Sequence, residues 1–201
     1  MLSDRMSQTR RQHGFTMVEL MVTVSLTALL FALAVPSFRS WVGNAQIRSA
    51  SDAIQNSARL AQAEAVRRSR QVVLFRTDDA TCSPTLTAAT AGKYWALRTV
   101  AVVDGQAIDV IQCGTLISAQ SSVAISGPSA LCFNSGGRQA ANPTPGIGGT
   151  ACELDTTGTN VFDITSSSAD RPLRVLVTLG GGVQMCDPAK TLSASTPDGC
   201  P

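Results

Sequence analysis

An apolar stretch near the N-terminus, residues 15–35, constrains the fold of this chain more than any other feature. It reads FTMVELMVTVSLTALLFALAV. As an α-helix rising about 1.5 Å per residue, it is long enough to cross a hydrocarbon core of about 30 Å. Its one acidic residue is Glu19, and a carboxylate near the centre of a membrane helix costs about 2–3 kcal/mol or more. The sequence therefore predicts a membrane helix whose acidic side chain has a dedicated partner.

A short basic leader, residues 1–14, precedes this stretch. It carries Arg5, Arg10 and Arg11 against a single acid, Asp4. Positive charge flanking a membrane helix favours the cytoplasmic side, so we expect a single pass through the inner membrane. The N-terminus would then lie in the cytoplasm, and everything beyond the helix would lie in the periplasm.

The junction between leader and apolar stretch contains a candidate cleavage point at Gly14–Phe15. Cutting there leaves a free amine on Phe15, about one helical turn from Glu19. A secretory signal peptide would instead be cut at its far end, where residues 32–34 (Ala-Leu-Ala) resemble such a site. That alternative leaves the spacing of glycine, phenylalanine and glutamate unexplained.

The string GFTMVELMVT, residues 14–23, resembles the class III signal of type IV pilins and pseudopilins. In that family a prepilin peptidase cuts after the glycine and methylates the new N-terminus. The glutamate then pairs with the N-terminus of a neighbouring subunit during assembly. The resemblance implies that Gly14 and Phe15 are processed and that Glu19 is the assembly carboxylate. It also implies that Pro36 kinks the helix.

The stretch from residue 37 to residue 70 is amphipathic and predicts a second half of the same helix. Its apolar stripe, spaced by three and four residues, consists of Ile47, Ala50, Ile54, Ala58, Ala61 and Ala65. Its polar face consists of Arg48, Asp52, Gln55, Arg59 and Gln62. One helix from Phe15 to Arg70 would be about 84 Å long.

Residues 71–201 read as a β-rich head. β-branched or alternating segments predict strands, listed here in chain order: 71–76, 94–103, 108–113, 123–126, 130–134, 161–165 and 173–179. Residues 77–92 and 135–160 read as loops. The predicted fold class is α+β, with the long N-terminal helix packed on an antiparallel β-rich head. The chain thus divides into a leader (1–14), a membrane and assembly helix (15–36), an amphipathic helix (37–70) and a periplasmic head (71–201).

All six cysteines lie beyond the membrane segment, and their even number predicts disulfides in a periplasmic domain. Several pairings are open, and the sequence does not choose among them. Our guess is sequential pairing, in which Cys186–Cys200 would order a short tail rich in Pro, Ser and Gly. The other two guessed pairs are Cys82–Cys113 and Cys132–Cys152.

The head resembles the GspH/FimT type of minor pseudopilins and minor pilins. Three elements carry this resemblance: Tyr94–Leu97 (YWAL), Leu131–Arg138 (LCFNSGGR) and a final hairpin over residues 173–186. It implies a structural subunit of a type IV pilus or of a type II secretion pseudopilus, acting in filament assembly or priming. The implied partners are other pilins or pseudopilins, a prepilin peptidase, the inner-membrane assembly platform and membrane lipid.

Enzymatic chemistry has little support in the sequence. The only histidine, His13, lies in the leader, so the processed chain has no histidine-based triad or metal site. We expect no enzyme activity, no cofactor and no metal. Without the leader the chain keeps 13 basic and 13 acidic side chains, which disfavours a strongly electrostatic partner.

DNA uptake is the alternative function, because some members of this family bind DNA through a G-R-x-R-like motif in the final hairpin. The matching positions here, residues 181–184, read GGVQ and lack both arginines. A phosphate contact requires a cation. The nearest candidates are Arg171 and Arg174, so DNA is an unlikely partner.

Overall fold

The computed structural model describes residues 14–103, 106 and 108–201. Most of the predicted leader, including its three arginines and His13, lies outside these residues. The chain separates into two compact units, Met1–Phe38 and Arg39–Pro201. Helix α1, Met17–Arg68, begins in the first unit and ends in the second.

Helix α1 begins two residues later than predicted. Thr16 is its N-cap, and the Thr16 Oγ1 atom accepts a hydrogen bond from the Glu19 backbone N–H at 3.2 Å. This Thr-x-x-Glu sequence is the capping-box pattern, in which the cap satisfies a backbone donor that the helix leaves unpaired. Phe15 therefore precedes the helix instead of starting it.

Helix α1 also ends two residues earlier than predicted. Ser69 adopts a left-handed conformation with φ of 49°. The Ser69 N–H donates to the Val66 carbonyl at 3.1 Å, and the Arg70 N–H donates to the Ala65 carbonyl at 3.2 Å. These two bonds form a Schellman motif, which closes the helix and turns the chain toward the first strand.

Among the described residues, nine strands follow in two sheets. They are β1 Val72–Thr77, β2 Tyr94–Thr99, β3 Val110–Thr115, β4 Val123–Ser126, β5 Ala130–Phe133, β6 Thr159–Ser166, β7 Leu173–Thr178, β8 Val183–Thr191 and β9 Gly199–Cys200. The first sheet has the order β3-β2-β1-β5 and the second β4-β6-β7-β8-β9. All pairings are antiparallel except β8 with β9. The head thus consists of two mainly antiparallel sheets, and the predicted α+β fold class is confirmed.

Two strand predictions need correction, and one short strand has no counterpart in the sequence analysis. Strand β2 ends at Thr99 rather than residue 103, because its pairing with β3 is already irregular after Leu97 and residues 101–103 are exposed. Strand β3 starts two residues late, since its register is set by pairing Thr115 with Tyr94. Strand β9 was not predicted, because two residues carry no periodic signal.

The predicted apolar stripe of α1 forms the centre of the head. All six of its residues are at most 3% exposed. They pack against alternate residues of both sheets, including Leu74, Phe133, Ile164 and Val175. The predicted polar face is exposed at Arg48, Asp52 and Arg59, but Gln55 is buried. Gln55 tolerates burial because its Oε1 atom accepts a hydrogen bond from Arg59 at 3.1 Å.

Strands β1, β2 and β5 of the first sheet are buried on both faces, whereas β3 at its edge is only partly buried. Val72 and Leu74 face α1, whereas Val73 and Phe75 pack under the two long loops. These loops contribute Leu86 and Ile147 to a second apolar cluster. Part of each loop predicted from sequence therefore belongs to the core of the head.

The six cysteines form three disulfides in the sequential order guessed above, listed here as Cys82–Cys113, Cys132–Cys152 and Cys186–Cys200. The first two tie one long loop each to a strand of the first sheet. The third ties β9 to β8. Each disulfide thus holds a segment that has little regular structure of its own.

Candidate assembly site

The predicted processing point lies outside helix α1. Gly14, Phe15 and Thr16 have no regular secondary structure, and no atom lies within 4 Å of a Cβ built on Gly14. Phe15 is 82% exposed. A peptidase needs an accessible, non-helical segment, and the bond between Gly14 and Phe15 meets that requirement.

Glu19 lies in the first turn of α1. A carboxylate there is favoured by the partial positive charge of the helix N-terminus. Within the residues that the structure describes, no cation lies at ion-pair distance from this carboxylate. The side chain is therefore available to a cation from elsewhere.

The other polar side chains of the apolar stretch are satisfied inside the helix. The hydroxyls of Thr23, Ser25 and Thr27 donate to backbone carbonyls three or four residues earlier, at 3.0, 2.7 and 2.6 Å. Such bonds remove the cost of placing a hydroxyl in hydrocarbon. Glu19 is left as the one acid or base between residues 15 and 35.

The N-terminal part of α1 has the length and composition of a membrane span. It contains a window of 18 residues apolar enough to cross a bilayer, none of it buried within the chain. Pro36 lies inside the helix as assigned. Proline removes one backbone hydrogen-bond donor from a helix, which is the physical reason to expect a kink. The kink at Pro36 stays a prediction.

Of the two arginines considered for DNA contact, Arg174 has its guanidinium occupied by an acidic side chain. Arg174 donates to both carboxylate oxygens of Asp163, at 2.6 and 3.1 Å. Arg171 is exposed, and its backbone N–H donates to the Asn44 side chain at 3.1 Å. The hairpin turn between β7 and β8, residues 179–182, contains no basic residue.

The arginines at the end of α1 are also paired. Arg67 and Arg68 both bind the Glu64 carboxylate, at 2.6 and 2.9 Å. The hydrogen bond from Arg67, followed by the one from Arg68, lowers the pKa of Glu64 from 4.5 to about 2. Arg70 donates to the Val100 carbonyl at 3.1 Å. These three arginines thus bond to groups of the head near the end of α1, and they do not form an open basic patch.

A close contact that the sequence does not reveal joins the β7–β8 turn to the turn after β5. Gly181 has a φ of 88°, and a Cβ there would lie 2.3 Å from the Gly137 carbonyl oxygen. The Gln62 side chain of α1 donates to that same oxygen at 2.9 Å. Two elements quoted for the family resemblance are thus in direct contact.

A buried polar network also escapes sequence analysis. The Gln139 amide donates to the carbonyls of Val177 and Thr178 and accepts a bond from Asn160.

Arg76 is 4% exposed and donates to the Ile125 carbonyl at 3.0 Å. Burial lowers the pKa of Arg76 to about 10. Arginine and glutamine normally indicate surface positions, so only the folded arrangement identifies them as core residues.

Metal binding finds no support in the part of the chain that the structure describes, where no three His, Cys, Asp or Glu side chains group around a common point. No cofactor site was predicted.

Two family models match this chain. One, for a prokaryotic N-terminal methylation motif, matches residues 9–35. The other, for the type II transport protein GspH, matches residues 50–181, about two thirds of the chain. Comparison with curated proteins finds no match.

The solved structures similar to this chain include a minor pilin and a minor pseudopilin. The type IV minor pilin FimU of Pseudomonas aeruginosa (strain PAO1) has 14% identity and a TM-score of 0.49, covering 80% of this chain and 98% of its own. The minor pseudopilin EpsH from the type 2 secretion system of Vibrio cholerae has 11% identity and a TM-score of 0.45. It covers 72% of this chain and 99% of its own.

The methylation motif, the apolar helix and the β-rich head together define a pilin-like, membrane-anchored subunit with a soluble head. The chain belongs to the GspH family of type II transport proteins, and it is a minor pilin or pseudopilin subunit. Members of this family are structural subunits, and membership implies assembly with other pilins in a filament.

Proposed function

We propose that this subunit joins a type IV pilus or a type II secretion pseudopilus through its processed N-terminus, where it acts in filament assembly or priming. The observation that carries the proposal is the register of Gly14, Phe15 and Glu19 at the start of α1. A prepilin peptidase cuts after Gly14 and methylates Phe15. The apolar helix then stays in the inner membrane, in contact with lipid, until the assembly platform extracts it.

Electrostatics at the helix start explain why assembly requires a partner. Cleavage creates a positive charge on Phe15, at the helix end that already carries partial positive charge. Glu19 carries the opposite charge, one turn into an apolar helix. In surroundings without water, leaving either charge alone is costly, so an ammonium and a carboxylate from adjacent subunits stabilise each other. Burial of the apolar helix faces in the filament supplies the remaining driving force.

The proposal places this chain in the membrane once. The N-terminus lies on the cytoplasmic side and the head, with its three disulfides, lies in the periplasm. Disulfides persist in that oxidising compartment, which supports this orientation. No observation favours DNA uptake over assembly, since Arg174 is bound to Asp163.

Substitution of Glu19 tests the assembly role directly. We expect Glu19→Val to insert and to lose its leader normally, but to fall by about tenfold or more in the filament fraction, because the partner ammonium loses its carboxylate. Thr23→Val, one turn further along the helix, is the matched control and should incorporate normally. Both amounts are measured by immunoblot of membrane and sheared filament fractions. Normal incorporation of Glu19→Val would overturn the assembly role.

A deletion distinguishes the two kinds of filament. Loss of surface pili in the deletion strain would assign the subunit to type IV pilus assembly as a priming subunit. Normal piliation with impaired protein secretion would assign it to a secretion pseudopilus.

A further inference from the structure

The three disulfides differ sharply in their exposure to solvent. Cys132 and Cys152 are 1% and 3% exposed, and Cys186 and Cys200 are 6% and 9% exposed. In the remaining pair Cys82 is exposed and Cys113 is half-buried. A thiol reagent in water therefore reaches Cys82–Cys113 without any opening of the head.

A surface cavity of about 330 Å³ provides the path to this disulfide. It is lined by both cysteines of the pair together with Asp79, Tyr94 and Gly114. Cys186 also borders a cavity, of about 450 Å³, beside α1. Cys186 is nevertheless buried, as is its partner Cys200. Cys82–Cys113, by contrast, has an exposed cysteine and also lines a surface cavity.

The loop between β1 and β2 is held unevenly. In residues 78–85, which we call the outer loop segment, every residue except half-buried Ser83 is exposed. Its hydrogen bonds with other described residues are local, joining Asp79 to Thr77 and Thr81, and Ser83 to Thr81 and Thr85. The Cys82–Cys113 bond is thus its main attachment to the sheet.

Residues 86–92, which we call the inner loop segment, are anchored independently of the disulfide. Leu86 is 4% exposed, and the Ala89 N–H donates to the Arg76 carbonyl at 2.8 Å. Gly92 lies so close to β1 that a Cβ there would be 2.5 Å from the Thr77 nitrogen. Loss of the disulfide should therefore release the outer segment only.

We propose that Cys82–Cys113 is a thiol–disulfide exchange site for an external dithiol, such as the active-site pair of a periplasmic oxidoreductase. A thiolate of the dithiol attacks the Cys82 sulfur, the Cys82–Cys113 bond breaks, and Cys113 leaves as a thiolate that takes up a proton. The second thiol of the dithiol then attacks the mixed disulfide and releases Cys82 as a thiol. Two electrons pass from the dithiol to the cystine, and the reverse sequence closes the bond.

Differential alkylation of the native chain tests this assignment. The full-length mature protein in detergent is treated with millimolar dithiothreitol without denaturant, quenched with N-ethylmaleimide over time and analysed by peptide mass spectrometry. We expect Cys82 and Cys113 to be labelled at least about tenfold faster than the other four cysteines, whose reduction requires local opening. Equal or faster labelling of Cys186 and Cys200, or of Cys132 and Cys152, would overturn the proposal.

A double variant tests the consequence for the loop. In Cys82→Ser/Cys113→Ser, hydrogen exchange should rise in residues 78–85 and stay unchanged in residues 86–92. Unchanged exchange in the outer segment, or loss of protection in both segments, would contradict the uneven anchoring. The alkylation of the wild-type chain gives its answer even if this variant folds poorly.

Discussion

At the scale of single residues, the head depends on a few positions where the backbone leaves no room for a side chain. Gly181 is the clearest of them, with its positive φ and its approach to the Gly137 carbonyl. Its neighbour Gly180 has no atom within 4 Å of a built Cβ. Adjacent glycines in one turn therefore have different physical roles.

This difference gives a matched pair of substitutions. Gly181→Ala should lower the free energy of unfolding by about 2 kcal/mol or more, from left-handed strain and from the clash with Gly137. Gly180→Ala should change it by less than about 0.5 kcal/mol. Urea unfolding of the mature protein followed by circular dichroism measures both. Equal effects of the two variants would contradict the close contact between the turns.

Glu64 is a second residue with a measurable role, because its pKa is depressed by Arg67 and Arg68. A carboxyl whose pKa falls on folding stabilises the folded state above its unfolded pKa, and it loses that contribution as pH drops toward the folded pKa. We expect wild type to exceed Glu64→Gln in stability by about 1 kcal/mol or less at pH 7. That gap should close between pH 4.5 and about 2.

Thermal melts across this pH range measure the gap. Glu153→Gln is the control, since Glu153 is exposed and makes no ion pair with any residue in the described part of the chain. A gap between wild type and Glu64→Gln that is as large at pH 2 as at pH 7 would show that the difference in stability does not come from the Glu64 ion pairs.

At the scale of elements, the alanines of α1 set how closely the helix approaches the sheets. Ala58, Ala61 and Ala65 are fully buried, whereas Ala63 on the opposite face is exposed. Ala61→Leu should destabilise the head by about 1–3 kcal/mol through overpacking. Ala63→Leu should be neutral within about 0.5 kcal/mol. A neutral Ala61→Leu would contradict the close packing of α1, and the measurement is again urea unfolding.

Elements with a strong period could be predicted from the sequence, and elements defined by distant contacts could not. The stripe from Ile47 to Ala65 has a helical period sustained over five turns, so its burial follows from spacing alone. The division of the strands into two sheets depends on the register of β4 with β6, which no local pattern encodes. The sequence pattern places Gln55 on the exposed polar face, but the residue is buried. Its burial is possible because Arg59 donates a hydrogen bond to its side-chain oxygen, a contact that the pattern does not reveal.

At the scale of the whole molecule, the two units differ in how they place their apolar side chains. The described side chains of residues 15–35 are exposed within this chain. They are apolar except for Glu19 and for hydroxyls that hydrogen-bond to the backbone of the same segment. The head instead buries its own core and closes its long loops with disulfides. The roles of Gly14, Phe15 and Glu19 stay predictions, and they could be made from sequence because the signal is local. Their partners belong to other molecules, so no property of this chain alone identifies them.

In our proposal, the processed chain is a subunit of a filament. Mass spectrometry of the N-terminal peptide of this protein, recovered from sheared and purified filaments, tests that claim most directly. We expect a filament-bound chain that begins with N-methylated Phe15. A chain confined to the membrane fraction with residues 1–14 still attached, or one that begins after Ala34, would contradict it.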